Sequence, residues 1–254
     1  MRNRLREHIG LLAYATQFLT RLPVPSLLPY EVDMLGRAAV YFPAVGILVG
    51  GLAAMVWVAA IGLGLPPLAA AALAVAATVF VTGGLHEDGL ADCADGLGGG
   101  SSRERALEIM RDSRIGAYGA LALALSLILR VACLAALPLW QGVFALIISL
   151  ALGRTAIVLT LLLLPYARPE GLASGAAKTS GGLTGFAALG TGAGVALLLG
   201  HTAGAAAILA AAAAWKWFTW RLLRRLGGYT GDGLGATEQV VQIAALLAMV
   251  AVWA

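Results

Sequence analysis

Charge is scarce in this chain. Asp, Glu, Lys and Arg make up 12% of its 254 residues, about half the share of an ordinary soluble domain, which excludes a large solvated surface. Cysteine is nearly absent. Cys93 and Cys133 are too few and too far apart for a thiolate metal site or a disulfide framework, and both read as reduced structural residues. Gly190, Gly192 and Gly194 follow no strand, so a dinucleotide fingerprint is excluded and close helix packing is the better reading. The sequence has no internal repeat and no low-complexity linker. Its net charge of +4 is small and scattered, which argues against a nucleic-acid partner.

What the chain has is hydrocarbon. Hydrophobic residues make up 60% of it, with 33 glycines, and the mean hydropathy is +0.88. These values describe an all-α polytopic transmembrane bundle, residues 1–254 forming one domain, with no room for a second soluble one. At about 20 apolar residues per crossing, six to eight spans fit. Apolar runs place seven near 39–61, 67–84, 117–137, 143–164, 183–200, 203–219 and 237–253. The connections near Gly62–Pro67, Pro138–Gly142 and Gly200–Gly204 carry no charge. The alternate segments hold Arg2, Arg4, Arg6, Arg21 and Arg37, then Arg103, Arg105, Arg111 and Arg114, then Arg168 and Lys178, then Lys216, Arg221, Arg224 and Arg225. The positive-inside rule puts those segments and the N-terminus in the cytoplasm and the C-terminus outside. A bacterial cytoplasmic (inner) membrane is the expected location.

The N-terminal run MRNRLREHIGLLAYATQFLTRLPVP has too short an apolar core for a signal peptide. It reads as a retained amphipathic segment on the membrane surface, ended by Pro23 and Pro25. Trp215, Trp217 and Trp220, beside Lys216 and Arg221, read as an interfacial belt.

Against this background one stretch stands apart. Between Gly83 and Gly119 lie seven of the 13 acidic residues: Glu87, Asp88, Asp92, Asp95, Glu104, Glu108 and Asp112. Carboxylates beside apolar spans are costly unless water, a cation or a partner satisfies them. Asp88, Asp92 and Asp95, at i, i+4 and i+7, share a helix face. A bound divalent cation is the simplest thing that would hold three like charges there. Mg²⁺ suits an all-oxygen site and bridges carboxylates to substrate phosphates. Gly98–Gly100 breaks that helix, and Ser101 with Glu104 has capping-box spacing for a second, amphipathic helix through about Asp112. The two helices are expected to form an acidic hairpin at the cytoplasmic surface, with Glu104, Arg105 and Glu108 on its solvated face.

Arg111 and Arg114, flanking Asp112, suit phosphate oxygens. A second cytoplasmic segment, GGYTGDGLGATEQ, brings Thr230, Gly231 and Asp232 among glycines whose backbone N–H groups could approach a phosphate. Arg130 and Arg154 fall inside spans, where a charge faces the bundle interior. Arg154 is read as lining a polar cavity and Arg130 equally as a structural pairing residue.

HEDGLADCADGLGGG followed by MRDSRIGAYG, with QFLTRLPVP near the start and LGGYTGDGLGATEQ near the end, resembles the signature of the cobalamin synthases, the adenosylcobinamide-GDP ribazoletransferase family. The resemblance spans the whole chain. It implies a Mg²⁺-dependent integral membrane enzyme that joins adenosylcobinamide-GDP to α-ribazole or its 5′-phosphate and releases GMP. On that reading Asp88, Asp92 and Asp95 ligate Mg²⁺, with Glu87 and Asp232 as further ligands. A carboxylate among Glu87, Asp88 and Asp92, or else His86, acts as base. Arg111, Asp112, Arg114, Arg154, Thr230 and Gly231 are the substrate-binding candidates. The expected partners are these small molecules and the lipid bilayer, and a homo-oligomer is compatible with the sequence. A CDP-alcohol phosphotransferase is the nearest rival, because Asp92-x-x-Asp95-Gly96 opens like its motif, but Gly99-Gly100 stands where Ala-Arg is needed. An ion-coupled transporter is a weaker rival, since its site would lie near the midplane within inverted repeats.

Overall fold

The computed structural model describes residues 2–29, 31, 33–168 and 182–253. Ten α-helices account for nearly all the regular structure among them: α1 (Arg2–Leu19), α2 (Met34–Ala38), α3 (Phe42–Gly62), α4 (Pro67–Thr82), α5 (Leu85–Gly99), α6 (Arg103–Ile109), α7 (Ala117–Ala135), α8 (Leu139–Leu163), α9 (Gly182–Leu226) and α10 (Gly231–Trp253). The fold is all-α, as expected.

Five elements are long and apolar enough to cross a membrane: Met34–Gly62, Ala117–Ala135, Leu139–Leu163, Gly182–Leu226 and Gly231–Trp253. A sixth arises if α4 and α5, bent by 90°, form one broken span. The 45-residue α9 is not a straight rod. At His201 the backbone leaves the helical region (φ 48°, ψ −118°), and Gly204 lies against the carbonyl of Ala196. Residues eight apart in an unbroken helix stand about 12 Å apart, so the chain doubles back there, inside the connection expected at Gly200–Gly204. Seven crossings follow only when α4 and both arms of α9 are counted. Lys178, one of the orienting charges, lies outside the described residues.

The bundle is apolar outside and partly polar within. Phe80, Leu63 and Leu183 are more than 80% exposed, whereas Arg130, Arg154, Glu238, Gln239 and Gln242 are buried. That inversion is what a lipid solvent requires. Small residues bring the central helices together: a Cβ at Gly50 would stand 2.7 Å from the Cα of Ile147, so α3 and α8 meet backbone to backbone.

The two ends of the bundle differ. One end gathers the α3–α4 turn, the α7–α8 turn, where the Trp57 indole donates to the Leu139 carbonyl (3.0 Å), and the His201 reversal. The other gathers the end of α1, helices α5 and α6, the starts of α7 and α10, and the ends of α8 and α9. Ala167 N–H donates to Tyr229 O (2.8 Å) and Tyr229 N–H to Pro165 O (2.9 Å), tying the end of α8 to the start of α10.

Three local expectations change. Ser102, not Ser101, caps α6, accepting from Arg105 N–H (3.1 Å); adjacent serines leave that register open in the sequence. Trp217 and Trp220 are exposed with Arg221 and Arg224 over their rings (5.8 and 5.0 Å). Trp215 instead turns inward and donates to the Thr160 hydroxyl (3.0 Å), so it belongs to the interior and not to the belt. Finally, the glycine-rich stretch after Thr230 is the first part of α10 rather than a loop.

Candidate functional site

The site is built by a corner. Gly83 and Gly84 end α4 with φ of 69° and 74°, a left-handed pair that glycine adopts without penalty. The chain then turns 90° into α5, which runs across the charged end of the bundle and is not itself one of the five spans. Glu87 and Asp88 fall in its first turn, where the helix dipole favours negative charge. Close backbone approach brings α5 to α10: a Cβ at Gly89 would stand 2.7 Å from the Asp232 carbonyl oxygen, and one at Gly235 would stand 3.2 Å from the His86 Cα. Thus Asp232, remote in sequence, arrives beside Asp88 and Asp92.

The carboxylates then separate into two groups. Glu87 is buried and paired with Arg130 (2.7 Å). Arg130 also reaches the Thr78 hydroxyl (2.6 Å) and the Gln239 amide oxygen (3.2 Å), and Gln239 donates back to Glu87 (3.1 Å). Glu238 pairs with Arg154, both fully buried. The polar-cavity role read for Arg154 gives way to this ion pair, and Arg154 lines neither of the cavities described below. Asp95 is buried and accepts from Gly116 N–H (2.7 Å) and Gly119 N–H (2.9 Å), satisfying orphan donors at the start of α7.

Asp88 and Asp92 differ. Among the described residues neither side chain makes a hydrogen bond or ion pair. Burial lifts the Asp92 carboxyl to about 6, and the neighbouring charges of Asp232, Asp88 and Asp95 push the same way against Arg168. Asp232 is held by Arg168 (2.9 Å).

Two cavities meet here. One of about 630 Å³ is lined by Arg21, Thr82, Asp88, Asp92 and Ser113, among others. The second, about 420 Å³, is lined by His86, Asp88, Arg111, Tyr166, Arg168 and Asp232 together with apolar side chains. Phe18, Leu85 and Asp88 belong to both. His86 is buried, and its Nε2 has no partner among the described residues.

The donor set is oxygen-only and suits a hard divalent cation. Among the described residues no three His, Cys, Asp or Glu side chains converge tightly enough to hold an ion by themselves. That looseness is compatible with Mg²⁺, which keeps waters and takes one or two carboxylates plus substrate phosphate oxygens rather than a closed protein cage.

Of the other candidates, Arg114 is exposed and bound to Asp112 (2.6 Å), a contact that holds the Asp112 carboxyl down to about 2. Thr230 caps α10, its hydroxyl accepting from Gly233 N–H (3.0 Å), and Gly231 lines the smaller cavity. Sequence reasoning did not assign Arg21, Tyr166, Arg168, Glu238 or Gln239 to the site. Arg21 lay in a quoted block and Glu238–Gln239 in another. Nothing in the spacing linked Arg168 to Asp232, 64 residues away.

Comparison with known proteins identifies a family. A family model described as cobalamin-5-phosphate synthase matches residues 11–250. Relatives named adenosylcobinamide-GDP ribazoletransferase include those of Rhizobium etli strain CIAT 652 (42% identical, covering 97% of this chain and 98% of the relative) and Mesorhizobium japonicum (46%, covering 95% and 93%). That of Leptothrix cholodnii is 45% identical, covering 94% of each chain. No solved structure matches the chain.

Proposed function

Because the chain belongs to the cobalamin-5-phosphate synthase family, we propose that it joins adenosylcobinamide-GDP to α-ribazole or α-ribazole 5′-phosphate in the assembly of the cobalamin nucleotide loop. A ribose hydroxyl oxygen bonds to the phosphorus that carries cobinamide. The bond from that phosphorus to the bridging oxygen breaks, and GMP leaves with that oxygen. The product is adenosylcobalamin or its 5′-phosphate.

The observation that carries this reading is the pair Asp88 and Asp92, which have no side-chain partner among the described residues while Glu87, Asp95, Asp232 and Glu238 each have one; Asp88 stands where the two cavities meet and Asp92 lines the larger. Asp88, Asp92 and Asp232 would hold Mg²⁺. When bound there, the ion would neutralise charge on the transferred phosphate and on the departing GMP. Arg168, already on Asp232, stands beside the same charge. His86, a residue of the smaller cavity beside Asp88 whose buried Nε2 has no partner among the described residues, accepts the hydroxyl proton. Glu87 and Asp95 act by position. Glu87 fixes the first turn of α5 to Arg130, and Asp95 fixes its end to α7. The charged end faces the cytoplasm, in keeping with the arginines gathered there, and the membrane is the bacterial cytoplasmic one.

The test is GMP release by detergent-purified protein given adenosylcobinamide-GDP, α-ribazole and Mg²⁺. Release that requires both substrates and the ion, and is lost in Asp88→Ala, is expected. No GMP from well-folded protein overturns the reading, and CMP release from a CDP-alcohol would replace it with the rival transferase.

A further inference from the structure

Resting on that functional reading, we propose that the two substrates bind on opposite sides of Asp88, the phosphoanhydride donor in the larger cavity on Arg21 and the nucleoside acceptor in the smaller one, where Arg111 recognises its 5′-phosphate. The argument begins with the free cations. Among the described residues Arg168 is engaged by Asp232 and Arg114 by Asp112. Among the described residues the side chains of Arg21 and Arg111 form no ion pair or hydrogen bond, and each lines one cavity. A guanidinium on a cavity wall, beside carboxylates yet bound to none, is a ready partner for phosphate oxygens.

The Arg21 backbone is held at the start of this corner. Its backbone N–H donates to the Val81 carbonyl (2.8 Å). Its side chain lies across Gly83, where any Cβ would collide with it. The left-handed turn that swings α5 across the bundle therefore also opens the space for this arginine. Exposed residues border the cavity it enters, among them Ser113, Ile115 and Asp88. A donor whose corrinoid is far larger than 630 Å³ can seat its diphosphate there and leave the rest outside.

The smaller cavity has a different character. Leu19, Ile157, Tyr166 and Leu234 offer apolar and aromatic surface for a planar base. The Tyr166 ring is braced edge-on by Tyr229 (centroids 5.3 Å apart). His86, whose buried Nε2 has no partner among the described residues, lines the same cavity. Asp88, shared by both cavities, then borders the place where the acceptor hydroxyl and the donor phosphorus meet.

The experiment is a set of steady-state titrations on detergent-purified Arg21→Gln, Arg111→Gln and Arg111→Lys variants. Each is titrated with adenosylcobinamide-GDP, α-ribazole and α-ribazole 5′-phosphate. For Arg111→Gln the expected result is a fall of about 10- to 100-fold in kcat/KM for the phosphorylated acceptor relative to the unphosphorylated one, with partial recovery in Arg111→Lys. Arg21→Gln should raise KM for the donor by a similar factor and leave the ratio between the two acceptors as in the parent. Because the ratio is taken within one variant, partial misfolding does not move it. An unchanged ratio in Arg111→Gln, or a donor KM that follows Arg111 instead of Arg21, overturns the partition. Failure of the parent protein to release GMP at all would overturn the functional reading instead, so the two failures are distinguishable.

Discussion

The acidic residues around α5 and α10 divide into those the protein satisfies itself and those it leaves open. Glu87 has Arg130, Glu238 has Arg154, and Asp95 has two backbone amides of α7. Asp88 and Asp92, on the same helix as Glu87 and Asp95, have no such partner among the described residues. Asp88 is exposed and Asp92 half-buried at the charged end, so both are left open toward a cavity rather than toward lipid. The contrast teaches that composition alone does not mark the reactive acids. The internal partners do, by subtraction.

The comparison can be broken most severely at the buried pair. Arg154→Met leaves Glu238 charged in the interior and should cost about 3–5 kcal/mol of stability, read as a fall in the thermal midpoint in detergent. Arg154→Met with Glu238→Leu should recover most of that loss, because neither charge remains. Failure of the double variant to recover would mean that the pair does more than neutralise itself.

Asp88→Asn should act in the opposite sense, with thermal stability near that of the parent and turnover lower by about 10²–10³-fold. A smaller effect is expected at Asp95→Asn. There one carboxylate oxygen becomes an amide facing a backbone N–H, at a cost of about 1–3 kcal/mol, with activity falling only as the start of α7 loosens. Acid should separate the groups more gently. The Asp92 carboxyl sits at about 6 without a cation, so below that pH a proton competes with Mg²⁺. Affinity for the ion should then fall by up to about tenfold per pH unit, and titration of Mg²⁺-dependent turnover between pH 5 and 8 would display it. Above pH 6 the carboxylate is ionised and the affinity should level off.

Much of this was legible in the sequence. Hydropathy gave the all-α bundle, and the i, i+4 spacing placed Asp88 and Asp92 together because both sit on one helix. The same periodicity grouped Asp95 with them, since it reports the face of a helix and not what packs against that face. Here the start of α7 packs there. Glu238 and Gln239 lay in a quoted motif, but their role depends on Arg154 and Arg130, each more than 80 residues away, and no local pattern encodes such a pairing. Arg168 was counted only as an orienting charge, because its value comes from the bridge between Tyr166 and Tyr229 that carries it to Asp232. The glycines of the last block read as a phosphate loop. Of these, Gly235 brings α10 against α5 and Gly231 lines the smaller cavity, two roles that composition does not distinguish.

Titration of detergent-purified protein with Mn²⁺ as a paramagnetic stand-in for Mg²⁺ tests the central claim most directly, in the parent and in Asp88→Asn, Asp92→Asn and Glu238→Gln. The account predicts weakened Mn²⁺ binding in the two aspartate variants, while Glu238→Gln binds as the parent does for as long as it stays folded. Equal Mn²⁺ affinity in the parent, Asp88→Asn and Asp92→Asn would contradict it.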